Sequence, residues 1–177
     1  MPNFVESTKN KAYIAYGCIF CKTGSEKTVA RALNTNVDVQ AIAPERKYRR
    51  RVNGKMKEQT EILFPGYVFF RAPIDFDSIK LLRYTDVYKL LTTEKEWMLR
   101  NADADFAQWL FKQGEVLEFS NAYFEGDRIR IASGPLKDYE GQITRVNKRF
   151  QNAQIVLNFH SLQIKVWLGY EQMKLPL

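Results

Sequence analysis

Residues 126–157 read GDRIRIASGPLKDYEGQITRVNKRFQNAQIVL, and they decide what the second half of the chain can become. Three short runs alternate apolar and polar residues at period two. Each is bounded by turn chemistry, which predicts a meander of half-buried strands. Ile129 and Ile131 face one way, Arg128 and Arg130 the other. Ser133, Gly134 and Pro135 break the first run. Glu140 and Gly141 set up the second, whose Ile143 and Val146 can join the same small core. A polar, basic hairpin tip over 148–152 precedes the return of Ala153, Ile155 and Leu157, and a last strand over 163–167 would close a five-stranded barrel. Helix formers are sparse among Ile129, Ile131, Ile143, Thr144, Val146, Ile155 and Val156, which favours strands over helix.

Working outward, 177 residues with 45% apolar content suffice for one ordinary domain or two small ones. The formal charge of +7 divides into +6 over residues 1–112, −2 over 113–122 and +3 over 123–177. Two basic domains joined by an acidic connector point to polyanionic or acidic partners for each. No run approaches the roughly 18 apolar residues of a membrane span, and the start lacks the apolar core of a signal peptide, so a cytoplasmic protein with no membrane partner is expected. Cys18 and Cys21 fit a reducing compartment. A zinc site needs four ligands, and the one histidine, His160, is distant, so no metal is expected. Residues three apart on a strand point to opposite faces, which assigns both cysteines to core packing. With one histidine, no phosphate loop and no usefully spaced carboxylate pair, neither an enzyme nor a cofactor is expected.

In the first half, residues 1–11 are polar, and 13–22 reads as a strand ending in a turn at Lys22, Thr23 and Gly24. Thr23 or Ser25 can cap a helix over 25–33 that buries Val29, Ala30 and Leu33. Residues 37–43 predict a second strand. From Arg46 to Lys57 there are seven basic residues, Arg46, Lys47, Arg49, Arg50, Arg51, Lys55 and Lys57, no acidic one, and Asn53-Gly54 at the centre. Asn-Gly between extended runs predicts a tight hairpin, and one-signed charge on it fits phosphate contact. Residues 63–70, LFPGYVFF, place a bend before a buried central strand at 68–70. A helix over 75–83 with Phe76, Ile79 and Leu82 on one face, a strand over 87–91, and a helix capped by Asn101 with a Phe106, Trp109 and Leu110 stripe complete an α+β sandwich.

The stretch around Gly126, Ile129, Ile131, Gly134, Pro135, Gly141, Ile143, Val146 and Val156 resembles a KOW module, a small SH3-like β-barrel. Residues 16–112 resemble the N-terminal domain of the NusG family of transcription elongation factors, whose architecture places a KOW module second. The sharpest match is LFPGYVF at 63–69. Tyr16 stands where the family usually has tryptophan, and Gly17 replaces an aromatic neighbour. Phe20-Cys21-Lys22 looks closer to the specialised RfaH and LoaP branches, and residues 133–141 with 166–171 are most similar to LoaP. The implied architecture is an N-terminal domain over 1–112, a linker over 113–122 and a KOW domain over 123–177.

The resemblance implies docking of Phe20, Phe64 and Tyr67, with Tyr16 nearby, onto the clamp helices of RNA polymerase, because a few desolvated aromatic anchors carry most of such an interface. A second polymerase contact would fall near Ser78 and Lys80, and the basic hairpin would lie toward upstream or non-template DNA. For the KOW module, Lys137, Arg145, Lys148 and Arg149, with Phe150 available to stack, imply contact with a nascent RNA hairpin. The housekeeping factor's module meets a ribosomal protein or the termination factor Rho instead. The expected protein is thus a monomeric, non-enzymatic antiterminator, set against a translation-associated RNA-binding protein of the ribosomal KOW type.

Overall fold

Alternation in the first half builds a four-stranded sheet whose two faces carry different cores. The computed structural model of the chain describes residues 14–92 and 96–175, and the expectations for residues 1–11 and Tyr13 lie outside them. Strands β1 (Ile14–Cys21), β2 (Gln40–Ile42), β5 (Tyr67–Pro73) and β6 (Val87–Leu90) lie in the order β2-β5-β1-β6. β1 runs antiparallel to β5, with Gly17 opposite Phe70 and Cys18 opposite Phe69. Helix α1 (Glu26–Leu33) packs Val29, Ala30 and Leu33 with Ile19, Val68 and Phe70 of one face. Helix α2 (Asn101–Gln113) packs Phe106, Ala107 and Leu110 with Cys18 and Phe69 of the other. The two cysteines therefore enter different cores, as their three-residue spacing on a strand requires. Burial raises both thiol pKa values, that of Cys21 to about 11, which keeps them as packing groups.

The departure at Gly17 has a packing reason. A Cβ there would stand 2.3 Å from Phe70 Cζ and 2.9 Å from Trp97 Cε3, in the space where those two rings stack at 5.2 Å. Gly17→Ala is expected to lower unfolding stability by about 2 kcal/mol, the cost of overpacking a closed core. Chemical denaturation measures it, and an unchanged midpoint would show that the rings yield freely.

Several local expectations are corrected. The helix over 75–83 is a 3-10 helix over Ser78–Arg83 that buries Leu81, while Ile79 is 65% exposed and Leu82 is exposed too. At three residues per turn, Ser78 and Leu81 share a face and the expected Ile79–Leu82 row turns outward. The strand over 37–43 shrinks to β2, with Val37 96% exposed. Arg100, in extended backbone, holds the cap position expected of Asn101, which is the first residue of α2. Ser25 is in the cap position of α1, though its side chain makes no capping bond.

The second half forms a five-stranded barrel from β8 (Ser120–Glu125), β9 (Arg128–Ser133), β10 (Arg145–Asn147), β11 (Asn152–Phe159) and β12 (Leu162–Gln172), in the order β10-β11-β12-β8-β9. Ile129, Ile131, Ala153, Ile155 and Leu157 are buried, as the alternation requires. The middle run is different: Pro135–Gln142 is a 3-10 helix, and only β10 extends near Ile143 and Val146, both half-buried. The last strand outruns its expected 163–167 span and pairs in parallel with β8. Gly134, at φ +95°, rests on Ser120, where a Cβ would meet Cα at 2.6 Å; Ser120 Oγ accepts a bond from Leu136 N at 2.9 Å. That seam ties the Gly-Pro turn to the start of the barrel.

A third sheet joins the halves. The hairpin strands β3 (Glu45–Val52) and β4 (Lys55–Ile62) continue to β7 (Val116–Leu117) in the order β4-β3-β7. Residues 113–122 thus carry β7 and the first residues of β8. The apolar core runs unbroken from Phe69 and Phe106 into Leu157 and Phe159 of the barrel.

Candidate protein-docking face and nucleic-acid interface

The bend in LFPGYVFF is held from below by one buried carboxylate. Gly66 takes φ +84°, a conformation natural to glycine, and its N–H donates to Glu26 Oε1 at 2.7 Å. Gly24 N donates to Glu26 Oε2 at 2.9 Å, and Cys21 N donates to Gly66 O at 2.9 Å. Glu26 is buried, so its two oxygens are satisfied by main-chain amides. The first residue of α1 thereby fixes the bend that presents Phe64 and Tyr67.

Around the bend the rings form one cluster. Phe20 and Tyr67 pack at 4.8 Å, and Phe64 lies 6.2 Å from Tyr67 and 5.6 Å from Phe106. Phe20 and Tyr67 are half-buried, whereas Phe64, expected to line an open depression, is only 3% exposed. The reason is a residue the sequence reading missed. Phe159, at the end of β11, sits 4.9 Å from Phe69, 5.6 Å from Phe106, 6.2 Å from Phe64 and 6.5 Å from Tyr67. It continues the buried series Ala153, Ile155, Leu157, and that continuation was the available signal. Beside it, Trp109 of α2 meets Tyr139 of the barrel at 4.9 Å, and burial raises the Tyr139 pKa to about 12, with Asp138 adding to the shift. His160 N donates to Asp103 Oδ1 at 2.9 Å. The barrel therefore covers the aromatic face of the sheet.

Tyr16 stands apart, against Phe111 at 5.5 Å, in an open cavity that also takes in Arg71 and Lys112. Ser78 and Lys80 belong to the 3-10 helix whose Leu81 joins the opposite core, so the structure does not bring them to the aromatic face.

The Asn53-Gly54 turn has positive φ at both residues, 50° and 78°, as a two-residue hairpin turn matching strand twist requires. Its seven cations divide. Arg50, Arg51, Lys55 and Lys57 are exposed, and Arg50 lies directly across from Lys57, a like-charged pair that disfavours the bare hairpin. Lys47 bonds Glu118 at 3.0 Å. Arg46 and Arg49 turn toward the barrel: Arg46 Nη1 donates to Trp167 O at 2.7 Å, Arg49 Nη1 donates to Tyr170 O at 2.7 Å, and Arg49 Nη2 pairs with Glu171. The buried Asn152 closes the seam by accepting from Arg49 N at 3.0 Å and donating to Arg49 O at 2.7 Å.

On the barrel, Lys148, Arg149 and Phe150 share the turn between β10 and β11. Lys148 bonds Asp127 at 3.2 Å and lies 4.7 Å over the Phe124 ring, and Arg149 lies 5.7 Å from the Phe150 ring. Arg145 is exposed on β10, away from the tip. Lys137, on the 3-10 helix, donates to Ile131 O at 2.8 Å. Among the described residues no cluster of metal-ligating side chains occurs, and no helix is long and apolar enough to cross a membrane.

A family model described as transcription termination factor nusG matches residues 15–107. The transcription termination/antitermination protein NusG of Synechocystis sp. is 25% identical over 156 residues, covering 81% of this chain and 74% of that protein. The protein of the same name from Lactococcus lactis is 31% identical over 108 residues, covering 59% of this chain; the match spans 58% of its own length. A solved structure described as domain interaction in Thermotoga maritima NusG aligns at TM-score 0.49 and 16% identity over 89% of this chain and 94% of that one.

Proposed function

This chain belongs to the NusG family of transcription termination/antitermination factors, and from that premise we propose that its first half docks on RNA polymerase through Phe20, Phe64 and Tyr67. One observation carries the reading. On this face of the sheet α2 brings Phe106 against Phe64 and Phe69, and the cover over Phe64 and Tyr67 is completed by Phe159, a side chain from the second half of the chain. An apolar face closed by a removable module can receive another protein's helices when that module leaves. The clamp helices of the polymerase are the proposed occupant, with Tyr16 at the margin and Ser78 and Lys80 making a second, separate contact.

In this reading the structure is the closed form, and the barrel must swing away before docking. Residues 1–112 are the docking domain, 123–177 the mobile KOW module, and the connector 113–122 turns between β7, paired with β3, and the start of β8, paired within the barrel. The four outward cations of the hairpin meet upstream or non-template DNA by phosphate contact, which supplies position without reading sequence. The barrel turn of Lys148, Arg149 and Phe150, together with Lys137 and Arg145 elsewhere on the barrel, contacts a nascent RNA hairpin, as in the LoaP branch. No catalytic step is assigned.

Co-purification of the full chain with core RNA polymerase tests the docking face. Phe20→Ala or Tyr67→Ala is expected to weaken binding by about 10-fold or more, the effect of losing a buried aromatic anchor. Unchanged affinity in both variants, with the fold intact by circular dichroism, would remove this face from the interface.

A further inference from the structure

We propose that duplex DNA and the barrel compete for the same two guanidinium groups, Arg46 and Arg49, so that DNA on the hairpin favours release of the barrel. The inference rests on the hairpin reading given above and adds its regulation. Seven cations fall on the hairpin, but the side chains of Arg46 and Arg49 are only 16% and 13% exposed. From the barrel their donor forks receive the acceptors a phosphate backbone offers, the main-chain carbonyl oxygens of Trp167 and Tyr170 and the carboxylate of Glu171, while Arg46 Nη2 stays paired with Glu61 of the hairpin itself and Glu58 lies 3.8 Å from Arg49. The barrel occupies these arginines with acceptors that stand in for phosphate oxygens. The reciprocal Asn152 bonds to the Arg49 main chain hold the register of that substitution.

Two consequences follow from linkage. In the closed form the hairpin offers DNA its four outward cations, Arg50, Arg51, Lys55 and Lys57. In the open form Arg46 and Arg49 join them, so DNA binds the open form more tightly and must, by reciprocity, shift the chain toward it. The same seam lies on the barrel that carries Phe159, so DNA engagement and exposure of the aromatic face are one event.

The test uses the full chain and a short duplex of arbitrary sequence, with affinity measured across a range of salt. Phe159→Ala loosens the barrel without touching the hairpin, and opening is followed by the indole N–H resonance of Trp109, whose Nε1 is buried beside Tyr139 with no hydrogen-bond partner among the described residues. If that signal shows the barrel still seated, Asn152→Ala is added. The opened chain should bind DNA more tightly, with a salt slope steeper by about two, since each neutralised phosphate contributes about 0.9. Adding Arg46→Ala and Arg49→Ala to the opened chain should return the slope to the closed value. In the unaltered chain, saturating DNA should move the Trp109 signal toward its open position.

Equal slopes in closed and opened chains overturn the competition and leave the hairpin reading standing. Absence of DNA binding by either chain sinks the hairpin reading and this proposal with it. A slope increase with single-stranded RNA but not with the duplex overturns the assignment of DNA as the competitor.

Discussion

Phe159→Ala is expected to raise the apparent affinity of the full chain for core RNA polymerase by about 100-fold. Truncating a ring packed against Phe64, Phe69, Phe106 and Tyr67 costs the closed form about 3 kcal/mol, and each 1.4 kcal/mol is a tenfold change in the open fraction. The gain is capped where the open form already dominates. Phe159 contacts the first half of the chain through all four rings, so its loss should spare the barrel's own core of Ile131, Ile155 and Leu157. Binding titrations with the purified enzyme read the effect. The sign is the decisive feature, because most substitutions at an interface weaken it. If affinity falls or stays level while the Trp109 signal reports opening, the covered face is not where the polymerase docks.

Glu26→Ala is expected to destabilise the chain by about 3 kcal/mol, since bonds to a charged group are worth about 1.5–3 kcal/mol each and their buried donors would lose their partner. The donors are the Gly66 and Gly24 amides, at 2.7 and 2.9 Å. Glu26→Gln should fall between, because its amide keeps one acceptor but turns an NH2 toward the second donor. Denaturant unfolding gives the stability change. The same variants should lose polymerase binding beyond their loss of folded chain, because the carboxylate sets the angle at which the bend delivers Phe64 and Tyr67. Full binding by folded Glu26→Ala would mean the bend holds its shape unaided.

Much of the fold was legible because its signals are local. Alternation at Ile129, Ile131, Ala153, Ile155 and Leu157 names the buried face of the barrel without reference to anything distant. Asn53-Gly54 names the hairpin, and Cys18 and Cys21 part company for reasons of strand geometry alone. Errors arose where period was ambiguous. Phe76, Ile79 and Leu82 fit an α-helical stripe, but the segment winds as a 3-10 helix and buries Leu81. Glu140-Gly141 looked like a strand entry and instead closes a second 3-10 turn.

The candidate site divided along the same line. Which residues are aromatic, which are cationic and which sit on a bend were read directly from the chain. Whether Phe64 is open or covered, and which hairpin arginines are free, depended on contacts between residues roughly a hundred positions apart, Phe64 with Phe159 and Arg49 with Asn152 and Glu171. Two basic modules, the strand faces and the hairpin are written into the order of residues, because short-range sterics and hydrophobic period set them. That the second module caps the first emerges only in the folded chain, because complementarity between two finished surfaces makes that choice, and no local pattern encodes a distant partner.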